Sequence, residues 1–396
     1  MSTRPSLPER LFYGAGNLPG TIVTTGAGFL MFFFTDVAAL SAATVGAFIL
    51  AVKVWDACWD LMVGRWVDRH RGRWGQCRPF LFAGAALFPL AMAAVFWLPP
   101  LDPSGRLVWA VLAYAALQMV FSIIMIPYQS LPVLQSDHEA DRAQLAGSQA
   151  LWTFVGVMGV NGGTMALVAA LGGPDKARGF WLTMTGWGLL GGAALLLATG
   201  LARERIAPAV QAPRPLGPDL RTLLAHRSWQ SLGAVKLLFT VGLSMQLGTA
   251  IYYAGTVMQA PALVGPLMLA NALGLVAGVP LSLWLLRRMC LKRLSTATFA
   301  GAALLSLGFL VVPPSVLPAV MGLNAAIGLM LGMSLPAFGP AIPNMVDHVE
   351  LDSGQRLMGL SVATLNFAEK VGAGIASALI GALLAGVGYE IGRAHV

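Results

Sequence analysis

The chain has 396 residues, of which 57% are apolar and 11% charged, with a mean hydropathy of +0.73; soluble domains carry about a quarter charged residues, so a soluble globule is excluded. A formal net charge of +8 would suit a nucleic-acid partner only if a soluble basic domain carried it, and the sequence has none. Cys58, Cys77 and Cys290 lack metal-ligand spacing and read as reduced thiols.

Apolar stretches long enough to cross a bilayer, about 20 residues each, fall at 11–34, 42–66, 80–98, 107–134, 144–171, 179–201, 229–253, 261–286, 294–312, 317–346 and 357–387. The first nine residues are polar and the first apolar stretch is too long for a signal-peptide core, so the first span is expected to stay as a helix. Of the 25 Lys and Arg, Lys53, Lys236 and Lys370 lie within spans, Arg393 in the tail, and Arg106, Lys176 and Arg178 in odd-numbered loops; the other 18 share the side of the amino terminus. The positive-inside rule makes that side cytoplasmic.

The longest connection, 202–228, holds Arg203, Arg205, Arg214, Arg221 and Arg227 with several prolines. It divides the chain into a half at 1–201 and a half at 229–390. Ile126–Gly147 (IPYQSLPVLQSDHEADRAQLAG), following the fourth span, has a weak echo six spans later in Ile342–Gly359 (IPNMVDHVELDSGQRLMG). Parallel six-helix halves are the layout of the major facilitator superfamily, in which solute binds near the midplane between halves. The expected fold is therefore an all-α integral membrane protein of two six-helix halves, its 46 glycines allowing close helix approach. Only eleven spans are present, and residues 391–396, IGRAHV, resemble the translation of a common sequencing adapter. The gene is expected to continue into a twelfth helix.

Ionisable groups within spans are expensive and mark function or pairing. The second span, AVKVWDACWDLMVGRWVDRHRGRWG, places Lys53, Asp56 and Asp60 at i, i+3 and i+7, on one helix face. Two carboxylates a turn apart in a low dielectric repel, so they share a proton or clasp a cation; Lys53 can alternatively neutralise Asp56 structurally. In the eleventh span Glu369 and Lys370 are adjacent and point about 100° apart, so Lys370 is expected to reach toward the second-span acids, while structural and functional roles are both open to Glu369. Lys236 is expected to snorkel. Asn17, Gln118, Ser122, Gln129, Gln149, Gln246, Asn271 and Asn366 are polar residues within spans, each able simply to bond a neighbouring helix. After the second span, Asp68 with Arg69, Arg71 and Arg73 can pair across helix ends and gate the inward face, or form a solvated loop. No buried nucleophile with a base and no metal cluster is visible, and His70, His138, His226 and His348 lie in or beside cytoplasmic loops; neither an enzyme nor a cofactor is expected.

The stretch FLMFFFTDVAALSAATVGAFILAVKVWDACWDLMVGRWVDRHRGRWGQCRPF, with IPYQSL, Asp347 to Gly359, and the lysine of NFAEKVGAG, closely resembles the glycoside-pentoside-hexuronide:cation symporters, the melibiose permease family within the major facilitators. The resemblance implies that Asp56 and Asp60 are cation-site carboxylates, Ser122 a cation-site hydroxyl, Lys53 a basic neighbour and Lys370 the lysine that supports coupling. It also implies that Trp59 replaces a cation-site asparagine, which removes an oxygen and favours H⁺ over Na⁺. At the solute site, family carboxylates correspond to Gly20 and Met125, an aromatic platform to Gln129, and an arginine to the neighbourhood of Ala150 and Gln149; Asn366 joins them as a candidate. The expected function is H⁺- or Na⁺-coupled symport of a small solute, a sugar or glycoside, by a monomer in a bacterial inner membrane. A carrier of an amphipathic or lipid-like solute and a non-transporting receptor are the alternatives.

Overall fold

Without water in the hydrocarbon layer to satisfy peptide groups, an apolar chain of this kind must close its backbone hydrogen bonds within helices. The structure, a computed structural model, describes residues 5–70, 72–136, 138–206, 216–286, 288–289, 291–353 and 358–386; among them there is no strand. The 391–396 tail lies outside the described residues.

The first span is segmented: α1 (Leu7–Phe12), a 3₁₀ turn (Tyr13–Asn17), α2 (Leu18–Phe32) and a π turn (Phe33–Val37). Then come α3 (Ala42–Arg69), α4 (Arg78–Phe96), α5 (Pro103–Gln135), α6 (Glu139–Gly172), α7 (Lys176–Leu201) and a short α8 (Leu216–Ala225). The chain continues with α9 (Arg227–Tyr252) and its π turn (Tyr253–Val257), α10 (Val264–Leu285), α11 (Leu291–Leu307), α12 (Leu317–Ser353) and α13 (Met358–Gly386). Among the described residues eleven helical stretches are long and apolar enough to cross a membrane, as the hydropathy pattern predicts. Several outrun it. At 1.5 Å per residue, the 33 residues of α5 and 37 of α12 reach roughly 50–55 Å, against a hydrocarbon core of about 30 Å. The Ile-Pro segments of the repeat are therefore helical, to Gln135 and Ser353, and Pro127 and Pro132 lie inside α5 without ending it.

The structure adds a second internal repeat. Ala38 N–H donates to Phe33 O (2.8 Å) and Leu40 N–H to Phe34 O (3.0 Å); Met258 N–H donates to Tyr253 O (3.0 Å) and Ala260 N–H to Ala254 O (2.9 Å). Each π turn is followed by a residue in the left-handed region, Ala39 (φ 57°) and Gln259 (φ 50°). The first and seventh spans thus end alike, six spans apart.

The described residues form two compact units, one from the chain up to residue 210 and again from Gly381, the other from 211–380. In the first unit Phe33 packs on Phe96 and Phe180, with ring centroids 5.1 and 5.6 Å away. In the second, α10 and α12 cross through glycines on both sides. A Cβ on Gly274 would lie 2.0 Å from Ala325 O, on Gly278 2.3 Å from Leu329 O, on Gly328 2.1 Å from Asn271 O, and on Gly332 1.9 Å from Leu275 O. The two backbones touch, as in the small-residue crossings of membrane helices. Overpacking such a contact costs about 1–3 kcal/mol or more. Gly328→Val and Gly332→Val should each lower the thermal unfolding midpoint of the purified protein by several degrees, whereas Gly322→Val, with nothing within 4 Å of its added Cβ, should leave it unchanged. Equal midpoints for all three would refute the close crossing.

Candidate functional site

Helical spacing puts Lys53, Asp56 and Asp60 on one face of α3, and Tyr114, Gln118 and Ser122, at i, i+4 and i+8, on one face of α5. The two faces meet at Asp56. Ser122 Oγ lies 2.9 Å from Asp56 Oδ1 and donates to it, and it also lies 3.1 Å from Gln118 O. Asp56 and Gln118 are fully buried, Ser122 almost so, and Asp60 and Lys53 half-buried. Lys53 Nζ stands 6.0 Å from the centroid of the Tyr114 ring, a cation–π distance. Trp59 stacks on Trp55, and its Nε1 makes a long, 3.4 Å bond to Met119 O, so the indole leans on α5 one residue from Gln118. A buried, hydroxyl-bonded carboxylate with a second carboxylate one turn away can take up a proton or an alkali cation.

The candidate solute residues are partly brought together. Gly20 and Met125 adjoin: a Cβ at Gly20 would sit 2.9 Å from Met125 Sδ and Cε. The thioether fills the space that a side chain at position 20 would need. Three residues before Gly20, buried Asn17 donates to Thr153 Oγ1 (2.8 Å). Gln129 is exposed and Gln149 half-buried. Asn366 belongs to the second unit, as does Lys370. Asn366 Oδ1 accepts from Lys236 Nζ at 3.3 Å, and Lys236 also pairs with Glu369 at 2.9 Å. Lys236 therefore does not snorkel to an interface; it ties the seventh span to the eleventh, where a carboxylate and an amide oxygen both reach it. Glu369 has its partner there.

Of the candidate gating residues, Arg73 is exposed and lies over the Trp74 ring at 5.4 Å. Arg71 and the side chains of Asp68 and Arg69 lie outside the described residues. The ties that are described use other groups. Glu204, just past α7, accepts from the backbone N–H groups of Gln76 (2.6 Å), Cys77 (2.9 Å) and Arg78 (3.0 Å), capping the start of α4. Its neighbour Arg205 pairs with Glu9 at 2.9 Å, and Arg10 stands 3.7 Å from Asp141. Among the described residues no three His, Cys, Asp or Glu side chains converge as a metal site.

A family model described as "MFS/sugar transport protein" matches residues 12–396. The chain belongs to that family. It is a membrane transporter and not an enzyme, and its resemblance to the glycoside:cation symporters holds over nearly its whole length. The putative glycoside/cation symporter YagG of Escherichia coli K12 is 29% identical, the match covering 98% of this chain and 85% of the relative. The isoprimeverose transporter of Lactiplantibacillus pentosus is 24% identical over 98% and 82%. Among solved structures, a bacterial homolog of the human lysosomal transporter Spinster aligns with a TM-score of 0.65 at 16% identity, covering 96% of this chain and 82% of that one. The E. coli xylose transporter XylE aligns at 0.61 and 13%, covering 95% and 91%. These two matches show the fold alone.

Reading the sequence by charge located the carboxylates of this family member but passed over Gln118 as one more interhelical amide and missed the Tyr13–Tyr128 pair. Those rings stack at 4.8 Å, and each hydroxyl donates to the other residue's carbonyl, at 3.2 and 3.0 Å, fastening the first span to α5. Glu204 was hidden by its basic neighbours; the signal that could have found it is the need of α4 for an acceptor at its amino end. Charge-assisted bonds to a helix terminus contribute about 1–3 kcal/mol. Glu204→Ala should lower the unfolding midpoint measurably and speed proteolysis of the 70–78 connection, while Arg221→Ala, exposed on α8, should do neither.

Proposed function

We propose that the chain is a cation-coupled symporter of a small neutral solute, a sugar or glycoside, working by alternating access with its amino terminus in the cytoplasm and as a monomer. The observation that carries this reading is the fully buried Asp56 carboxylate, held by Ser122, with Asp60 one turn away and Lys53 one turn before. An ionised carboxylate at that depth is unfavourable by several kcal/mol, and a proton or Na⁺ bound at the pair relieves it. Uptake driven by an ion gradient follows if solute binding and ion binding favour each other. Lys370, at the position of the family's coupling lysine, is assigned the link between them. Two relatives named as a putative glycoside/cation symporter and an isoprimeverose transporter support the solute class. With Gly20 and Met125 in place of acids, recognition falls to neutral donors and acceptors such as Asn17, Gln149 and Gln129.

A second reading, a carrier of an amphipathic solute, draws on the Met125 thioether lying against Gly20. Competition by lysolipids but not by glycosides would favour it.

The decisive measurement is uptake of a panel of radiolabelled glycosides into proteoliposomes under imposed H⁺ or Na⁺ gradients. Asp56→Asn and Asp60→Asn should reduce gradient-driven accumulation about tenfold or more, as expected for loss of a charged ligand, while solute counterflow without a gradient persists. Accumulation equal to that of the unaltered chain in both variants would defeat the coupling assignment.

A further inference from the structure

Gln118 presents an unresolved polar group at the cation face. Its side chain is fully buried, and neither Oε1 nor Nε2 has a hydrogen-bond partner among the described residues. Burying an amide that makes no bond costs on the order of 1–3 kcal/mol in proteins and more in an apolar medium, so such a group is expected to have a use. Its position narrows that use. Gln118 lies one turn before Ser122 on α5, and the Ser122 hydroxyl sits at once on Asp56 Oδ1 and on the carbonyl of Gln118 itself. The turn that carries the orphan amide is therefore the turn against which Asp56 packs. On the same faces of α3 and α5 lie Lys53, Asp56, Asp60 and Tyr114.

We propose that Gln118 Oε1 is a ligand of the coupling cation and makes the site one for Na⁺. This rests on the coupling reading above. A hard cation requires several oxygens, amide carbonyls among them, whereas a proton needs a single carboxylate. Trp59 supplies none: its ring nitrogen is a donor and is spent on Met119 O. Gln118 restores from α5 the neutral oxygen that α3 lacks, giving a donor set of Asp56, Asp60, Ser122 and Gln118. Under this proposal the Gln118 oxygen offsets the one lost at Trp59.

The test is equilibrium binding of ²²Na⁺ to the purified full chain, with choline chloride holding ionic strength constant, for the unaltered protein, Gln118→Met, Gln118→Glu and Asp56→Asn. The expected result is saturable binding that Gln118→Met weakens about tenfold or more, that Gln118→Glu, which keeps an oxygen, largely retains, and that Asp56→Asn abolishes. Should Gln118→Met not be recovered folded, Gln118→Leu carries the same comparison. Loss of binding in Asp56→Asn with unchanged affinity in Gln118→Met overturns the role of Gln118 and leaves the coupling reading standing. Unchanged binding in Asp56→Asn sinks the coupling reading itself. Absence of saturable Na⁺ binding in the unaltered protein also overturns the proposal and marks the site as one for protons alone.

Discussion

Asp56 is a carboxylate with no exposed surface, placed midway along an apolar helix. Little else in the first unit is so unfavourable by itself, since an ionised group removed from water loses several kcal/mol of solvation even after its surroundings relax. What surrounds it is compensation of graded strength. The Ser122 hydroxyl reaches it directly, Lys53 stands a turn away over the Tyr114 ring, and Asp60 opposes it with a second negative charge. Structural economy would have dispensed with Asp60. Two acids and one base on a single helix face are more than one structural pairing needs, and this is the ground on which the face is proposed as the ion-binding one.

Each unit supplies stiffness through contacts that tolerate no added atom. The glycines of α10 and α12 bring backbone onto backbone in the second unit. In the first, Gly14 N–H donates to Ser148 Oγ at 3.0 Å, and the two tyrosines lock Tyr13 to Tyr128 through both carbonyls. Glycine abundance in this chain thus has a local meaning at particular crossings. Paired interiors of this density shift between discrete arrangements instead of deforming continuously, which suits units that move as bodies.

The fold was legible because hydropathy is a signal about 20 residues long, repeated eleven times, and because basic residues sort by side. What escaped is carried by the backbone or by partners far apart in sequence. The matching ends of the first and seventh spans share hydrogen-bond registers and a left-handed residue, yet FFTDVAAL and YAGTVMQA agree in identity only at Val37 and Val257. Pro127 and Pro132 lie inside the fourth span as hydropathy drew it, and α5 runs through them to Gln135. Lys236 looked like a snorkelling lysine because periodicity reveals which face a residue occupies and not what lies opposite; Glu369 and Asn366 lay 133 and 130 positions away. The Asp56–Ser122 contact came within reach of the sequence only through family resemblance, for the same reason.

The cation face and the solute face differ in legibility for a chemical reason. Few side chains can hold an ion in an apolar medium, so a carboxylate there announces itself. Neutral solutes are held by amides and hydroxyls, the same groups that bind helices to one another, and Asn17 on Thr153 or Asn324 on Leu267 O is indistinguishable by type from a solute contact. Gly20 and Met125 show how such a site changes without leaving a trace of charge: one position loses its side chain and the facing thioether takes the space. Gly20 and Met125 together make one packed contact between the first and fourth spans. A wall packed to the density of a protein interior can discriminate by shape without any charge to mark it in the sequence, which is why reading by charge passes over it.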